Sequence, residues 1–287
     1  MATYRFVFRT VLITAFLVAG STSISSAGEP NWPQFRGPDG LGIAPDDYTY
    51  PATLDPSRNL LWKTEVPLGH SSPCIWGDRI FITAADDKSL ETICLDRRNG
   101  SMTWRKSIQV EELEKINGSN NHASPTPVCD GTRVYVYFAS FGLIAYDLEG
   151  GEVWRHPLPI PVKQHGTGCS PILAGGAVII NCDQKKEPYL IAVDKITGKQ
   201  AWKIERPIVS YIYNWSTPVL WRHGGQTELV VLGCEQLIAY DPATGEMQHF
   251  ESSDASETFP TNFMWNIFES RDGSESRGRG LCLQSSH

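Results

Sequence analysis

The feature that most constrains this chain is a repeat. Asp96, Asp147, Asp194 and Asp241 lie 51, 47 and 47 residues apart, and Gly100, Gly151, Gly198 and Gly245 each follow four positions later. Each Asp ends an alternating apolar run such as Tyr189-Leu190-Ile191-Ala192-Val193, and each Gly opens a second short run. This is hairpin chemistry: the Asp carboxylate accepts turn N–H groups, and the Gly supplies the positive φ that closes the turn. Trp104, Trp154 and Trp202 then fall on the returning strand, one per repeat. In the fourth repeat His249 stands at the Trp position, with Phe250 beside it. A large ring at one place in every repeat suits packing between successive small sheets. Fixed periods of this kind are the signature of repeat architectures.

A second period runs upstream. Ser72-Pro73, Thr126-Pro127, Ser170-Pro171 and Thr217-Pro218 each open a strand-like run, followed by β-rich stretches such as Arg133-Val134-Tyr135-Val136-Tyr137-Phe138. Each unit therefore holds four short strands, the content of one propeller blade. The expectation is an all-β chain of about four four-stranded antiparallel blades, with Trp104, Trp154 and Trp202 equivalent and largely buried.

At these residues a resemblance becomes nameable. Residues 192–202 match the A-x-D-x-x-T-G-K-x-x-W tryptophan-docking motif of pyrroloquinoline-quinone (PQQ) repeats. The chain resembles the secreted PQQ-like β-propeller proteins of the quinoprotein dehydrogenase-like superfamily over residues 30–251. The start Trp32-Pro33-Gln34-Phe35-Arg36-Gly37-Pro38-Asp39-Gly40 is similar to the leading segment of one bacterial group of them. The resemblance implies a ring, usually of about seven or eight blades, in which the N-terminal strand completes the last blade. Residues 59–66, with Trp62, look like such an outer strand without partners of its own. Only 36 residues follow Glu251, and they end in a polar, Gly-rich stretch. The expected organisation is therefore a signal peptide over 1–27, a leading segment over 28–58 and propeller repeats over 59–251. Residues 252–287 read as an irregular or frame-shifted tail of a truncated, open ring.

The first 27 residues carry Arg5 and Arg9, an apolar run from Val11 to Gly20 and small residues before Gly28, the pattern of a secretory signal. The run is too short for a membrane span, and no cysteine precedes Cys74. A soluble secreted or periplasmic protein is expected, with no membrane span in the mature chain. Basic residues number 25 against 32 acidic, without a basic cluster, which argues against a nucleic-acid partner. The seven cysteines form no CxxC or adjacent pair and read as small buried hydrophobes.

Polar residues gather just before the inner strands: His70 and Ser71; Asn121, His122 and Ser124; His165 and Thr167; Asn214, Trp215 and Ser216. Loops entering inner strands converge on one mouth of a propeller, where they can bind a protein, a saccharide, a quinone or a peptide. The alternative is that these side chains cap turns and bond backbone at the rim. The resemblance also raises a PQQ-dependent dehydrogenase with calcium, oxidising alcohols or sugars. No adjacent-cysteine pair or CxxCH is present, and no carboxylate matches the calcium or catalytic positions. Asp183 and Glu187 can be imagined as ligands but read better as a solvated loop, and Glu111-Glu112-Leu113-Glu114-Lys115 as an exposed loop or turn between blades. A non-catalytic extracytoplasmic binding or assembly scaffold, with no cofactor, is therefore favoured over the dehydrogenase or an inactive fragment of one.

Overall fold

The structure, a computed structural model, describes residues 31–44, 49–206, 214–233 and 236–252. These residues form four antiparallel sheets, each of four strands in sequence order. Blade 1 holds β1 (Cys74–Trp76), β2 (Arg79–Asp86), β3 (Ser89–Asp96) and β4 (Met102–Gln109). Blade 2 holds β5 (Val128–Cys129), β6 (Arg133–Phe138), β7 (Gly142–Asp147) and β8 (Glu152–Pro157). Blade 3 holds β9 (Ile172–Ala174), β10 (Ala177–Cys182), β11 (Tyr189–Asp194) and β12 (Gln200–Glu205). Blade 4 holds β13 (Val219–His223), β14 (Gln226–Leu232), β15 (Gln236–Tyr240) and β16 (Met247–Ser252). This is an incomplete propeller. The proposed signal segment lies outside the described residues, as does the tail beyond Ser252.

The middle strands of blades 2 and 3 are apolar on both faces, because each of these blades packs between two neighbours. Along β10 the faces divide: Val178, Ile180 and Cys182 pack toward blade 2, while Ala177 and Ile179 pack toward blade 4. A third cluster joins blades 1 and 2 through Phe81, Cys94, Trp104, Val136 and Tyr146. All five described cysteines are free and buried.

The repeat motif forms the joints. The fourth strand of each blade carries one extra residue against the third, at Cys94/Leu95, Ala145/Tyr146, Ala192/Val193 and Ala239/Tyr240. Such a bulge re-aims the next side chain, and that residue is Trp104, Trp154 or Trp202; in blade 4 the same register position is 249. Trp104 donates its indole N–H to Leu148 O at 2.9 Å and Trp154 to Lys195 O at 3.1 Å, each on the turn of the next blade. Trp202 packs against the turn at Gly245, but its buried Nε1 has no acceptor. Trp202 is half-buried, unlike Trp104 and Trp154, which are buried.

The turns are not identical. Asp96, Asp194 and Asp241 take Gly at the fourth position, with φ of 72°, 71° and 75° at Gly100, Gly198 and Gly245. In blade 2 the left-handed residue is Gly150, with φ 86°, and Gly151 accepts the Asp147 amide instead. That turn is one residue shorter, which is why Trp154 follows its Asp by seven positions and the other two Trp by eight. The left-handed turn glycine of blade 2 is thus Gly150, not Gly151 as the four-residue spacing predicts.

The Ser/Thr-Pro period forms a second joint at the inner strands. Ser72 N–H donates to Thr126 Oγ1 at 3.0 Å, Thr126 N–H to Ser170 Oγ at 2.9 Å, and Ser170 N–H to Thr217 Oγ1 at 3.0 Å. Each hydroxyl thus satisfies an amide of the preceding blade that a short inner strand leaves open.

Before blade 1, the chain takes the position of an outer strand without forming one. Trp62 lies over Gly100 and donates to Arg97 O at 2.8 Å, repeating the joint seen between blades. Residues 60–66 have no ladder, and Leu60 and Leu61 are exposed.

Candidate functional site

The loops before β5, β9 and β13 and the turns between second and third strands meet at one end of the blades. Glu114 N–H donates to Ser140 Oγ at 2.9 Å, Leu158 N–H to Phe141 O at 2.9 Å, and Lys185 N–H to Val162 O at 3.2 Å. The tryptophan-docking turns lie at the opposite end. This loop layer is the mouth.

Most of the polar side chains gathered there hold backbone. Ser71 Oγ accepts the Thr83 amide at 3.0 Å, and Asn121 Oδ1 accepts the Ala123 amide at 2.8 Å. Ser124 donates to Asn120 Oδ1 at 2.5 Å and to Asn121 O at 2.9 Å. Asn120 Nδ2 in turn donates to His165 O at 2.7 Å, tying the loop before β5 to that before β9. Asn214 Oδ1 accepts the Ser216 amide at 2.9 Å. His70 is exposed, and among the described residues its side chain joins none of the others. His122 is half-buried; burial of the ring holds its pKa below the usual histidine value, and its Nδ1 is buried without a partner.

Two part-exposed side chains from different blades lie together. Trp215, 38% exposed, donates its indole N–H to Gly166 O at 2.8 Å, and the His165 ring lies 6.0 Å from it, centre to centre. The His165 Nδ1 is 3.2 Å from Asn117 Nδ2. The anchored N–H fixes the orientation of the indole.

Beneath this layer sit charged groups that sequence reasoning put elsewhere. Asp183 is buried rather than solvated: its Oδ1 accepts from Arg206 Nε at 2.7 Å, and its Oδ2 from Asn214 Nδ2 at 2.7 Å and Asn181 Nδ2 at 3.1 Å. Arg206 is itself buried and donates to the Tyr240 hydroxyl at 2.6 Å. Glu187 is exposed, as are Lys185 and Lys186 beside it. Likewise the acidic segment 111–115 is not wholly exposed, because Glu114 turns inward. Its Oε2 accepts from Thr167 Oγ1 at 2.9 Å while its Oε1 is buried without a partner. Burial raises the Glu114 pKa, and the Thr167 hydrogen bonds and the Lys163 charge offset this only in part. Lys163 is buried as well and donates to Asn214 O at 3.2 Å. Asp183 follows the buried run 178–182 directly, a position at the mouth end of a core strand that could have flagged it. Glu114 carried no such signal.

A half-ring of PQQ-type blades with a polar mouth is the class these features define. A family model described as "Outer membrane protein assembly factor BamB" (PQQ_2) matches residues 52–207 and 90–258, and the chain belongs to this PQQ-repeat family. A comparison with curated proteins finds no match. Among solved structures, the chain is similar to quinohemoprotein alcohol dehydrogenase from Comamonas testosteroni. The identity there is 15% and the TM-score 0.55, over 78% of this chain and 41% of that one. The corresponding enzyme ADHIIG from Pseudomonas putida HK5 gives 15%, 0.56, 77% and 40%. BamB from Moraxella catarrhalis gives 15%, 0.47, 67% and 54%. The chain thus spans about half or less of the length of these proteins, and the likeness to the dehydrogenases is one of fold.

Asp183, a buried carboxylate beneath the mouth, is not free to ligate a calcium ion. Both Asp183 oxygens are engaged by Arg206, Asn181 and Asn214, so a cation there would have to displace a buried guanidinium. Among the described residues no three His, Cys, Asp or Glu side chains converge as metal ligands.

Proposed function

We propose that this chain acts outside the cytoplasm as a non-catalytic binding or assembly scaffold, taking a polypeptide segment of a partner protein at its mouth. The observation that carries this reading is the His165–Trp215 pair: an anchored, part-exposed aromatic pair contributed by two different blades. Fixed aromatic side chains at a concave surface are favoured anchors for protein partners. The surrounding Ser, Asn and Thr groups are bound to backbone and to one another, which suits a rigid rim better than a set of reacting groups. The BamB description of the family agrees with a protein partner. The basic, apolar and small-residue pattern of residues 1–27 supports export, and no helix among the described residues is long and apolar enough to cross a membrane.

The test pairs two measurements on the full chain. A photo-crosslinking residue at position 165 should give a discrete protein adduct in the cell envelope that Trp215→Ala abolishes. Addition of PQQ and Ca²⁺ to the purified protein should give no alcohol- or sugar-dependent dye reduction. Stoichiometric PQQ retention with turnover would establish the dehydrogenase instead. Saccharide-dependent quenching of Trp215 without a protein adduct would replace the protein partner by a small ligand.

A further inference from the structure

The leading segment 31–43 is absorbed neither by the blades nor by the mouth. Its first residues lie on blades 1 and 2. Trp32 exchanges backbone hydrogen bonds with Ile75 of β1, at 2.9 and 2.8 Å, and Pro33 O accepts the Cys129 amide of β5 at 2.8 Å. Asn31 Oδ1 accepts the Gly77 amide at 2.8 Å. Its last residues lie on blade 4. Asp39 pairs with Arg222 of β13, and Gly40 sits against Val219, with Val219 Cγ1 at 3.6 Å from where a Cβ would be. Strands β1, β5 and β13 are the innermost strands of their blades, so a segment touching all three crosses the axis of the arc. It does so toward the hairpin end, away from the mouth.

The segment is also braced within itself. Gly37 N–H donates to Gln34 O, Gly40 N–H to Gly37 O, and Gly42 N–H to Arg36 O, at 2.9, 3.1 and 2.7 Å. The Trp32 ring lies flat against Gly37, where a Cβ would fall 2.6 Å from three ring atoms. Gln34, Gly37 and Gly40 are buried. A flexible tether of this length would constrain little, since its cost in entropy grows slowly with length. A wound, ring-stacked turn has a fixed span.

We infer that residues 31–43 are an axial strap, a rigid brace that sets the spacing between blade 1 and blade 4. Three joints in series leave the spacing of blades 1 and 4 soft, because small rotations at each joint add. A brace across the axis removes that freedom. The strap would thereby fix the width of the mouth, and this consequence rests on the scaffold reading, whereas the brace itself does not.

The test reads spacing without any ligand. Spin labels are placed on Asp78→Cys and Gln226→Cys, in the far hairpins of blades 1 and 4, with Cys234 and Cys282 replaced by serine. The distance distribution in the otherwise native chain should be narrow. Gly37→Ala, which drives a methyl into Trp32 and touches no blade, should widen it and lower the melting midpoint by about 2–4 °C or more. Gly42→Ala, with φ +72° but open space around it, should leave the distribution narrow. Should Gly37→Ala not fold, Arg222→Glu opposes Asp39 with a like charge and should also widen the distribution, and adding Asp39→Lys should restore it. An unchanged distribution in Gly37→Ala or Arg222→Glu, or equal widening in Gly42→Ala, overturns the brace. Loss of the position-165 adduct with a narrow distribution would instead count against the mouth as the binding site.

Discussion

Trp154 stands over Gly198 across the joint between blades 2 and 3, its ring 2.7 Å from where a Cβ on that glycine would sit and its N–H bonded to Lys195 O. The same pairing recurs as Trp62 with Gly100, Trp104 with Gly150 and Trp202 with Gly245. One residue type in each turn thus serves two needs: it takes the left-handed conformation, and it leaves room for the preceding blade's ring.

Gly198→Ala should therefore cost more than the left-handed backbone alone, which is of order 1–3 kcal/mol. Gly176, with φ +81° and nothing within 4 Å, provides the control. Urea unfolding should show a clearly lower midpoint for Gly198→Ala than for Gly176→Ala. Equal losses would mean the indole contact contributes nothing.

Trp104→Ala should destabilise by about 3–5 kcal/mol, the range for deleting a large buried ring. Trp62→Ala should cost much less. Both rings make the same hydrogen bond, but Trp62 is half-buried and its own strand has no ladder. Comparable losses for the two, measured by denaturation, would show that residues 60–66 are held as firmly as a blade.

Breaking the buried pair from one side should be severe. Asp183→Leu leaves the Arg206 guanidinium without a carboxylate, and loss of one partner of a buried pair costs about 3–5 kcal/mol. The double variant Asp183→Leu, Arg206→Met should recover a large part of that loss. A double variant as unstable as the sum of the singles would show that the two groups act independently.

Glu114 sets a pH dependence of the opposite sign to that of most carboxylates. Its folded pKa is raised, so the unfolded chain gives up this proton first. The contribution is present below the unfolded carboxylate value and is lost as pH rises through the folded one. Glu114→Gln keeps an acceptor for Thr167 and removes the charge. It should raise stability at pH 7.5 and change it little at pH 4, as read by urea titration at the two values. A loss at pH 7.5 would show that the carboxylate is stabilised by groups beyond Thr167 and Lys163.

The tryptophan-docking turns and the blade count were legible because both are local. An Asp, a Gly four positions on and a ring at a fixed offset act through backbone groups a few residues away, so spacing alone carries them. Even there a one-residue contraction in blade 2 escaped notice, since Gly150 and Gly151 are interchangeable as letters and only φ distinguishes them. The mouth was less legible. Ser71, Asn121, Ser124 and Asn214 could be placed near the inner strands, but not whether they would face a ligand or the backbone.

What tertiary structure decided is the partnering of groups far apart in sequence. Asp183 looks like a solvated acid until Arg206, 23 residues on, and Asn214, 31 residues on, are folded against it. Glu114 meets Thr167 only because blades 1 and 3 both send loops to the mouth. The path of residues 31–43 across the axis depends on Arg222, 183 positions beyond Asp39. Period and turn chemistry are written into short stretches of chain, whereas burial and charge pairing exist only once the blades have packed.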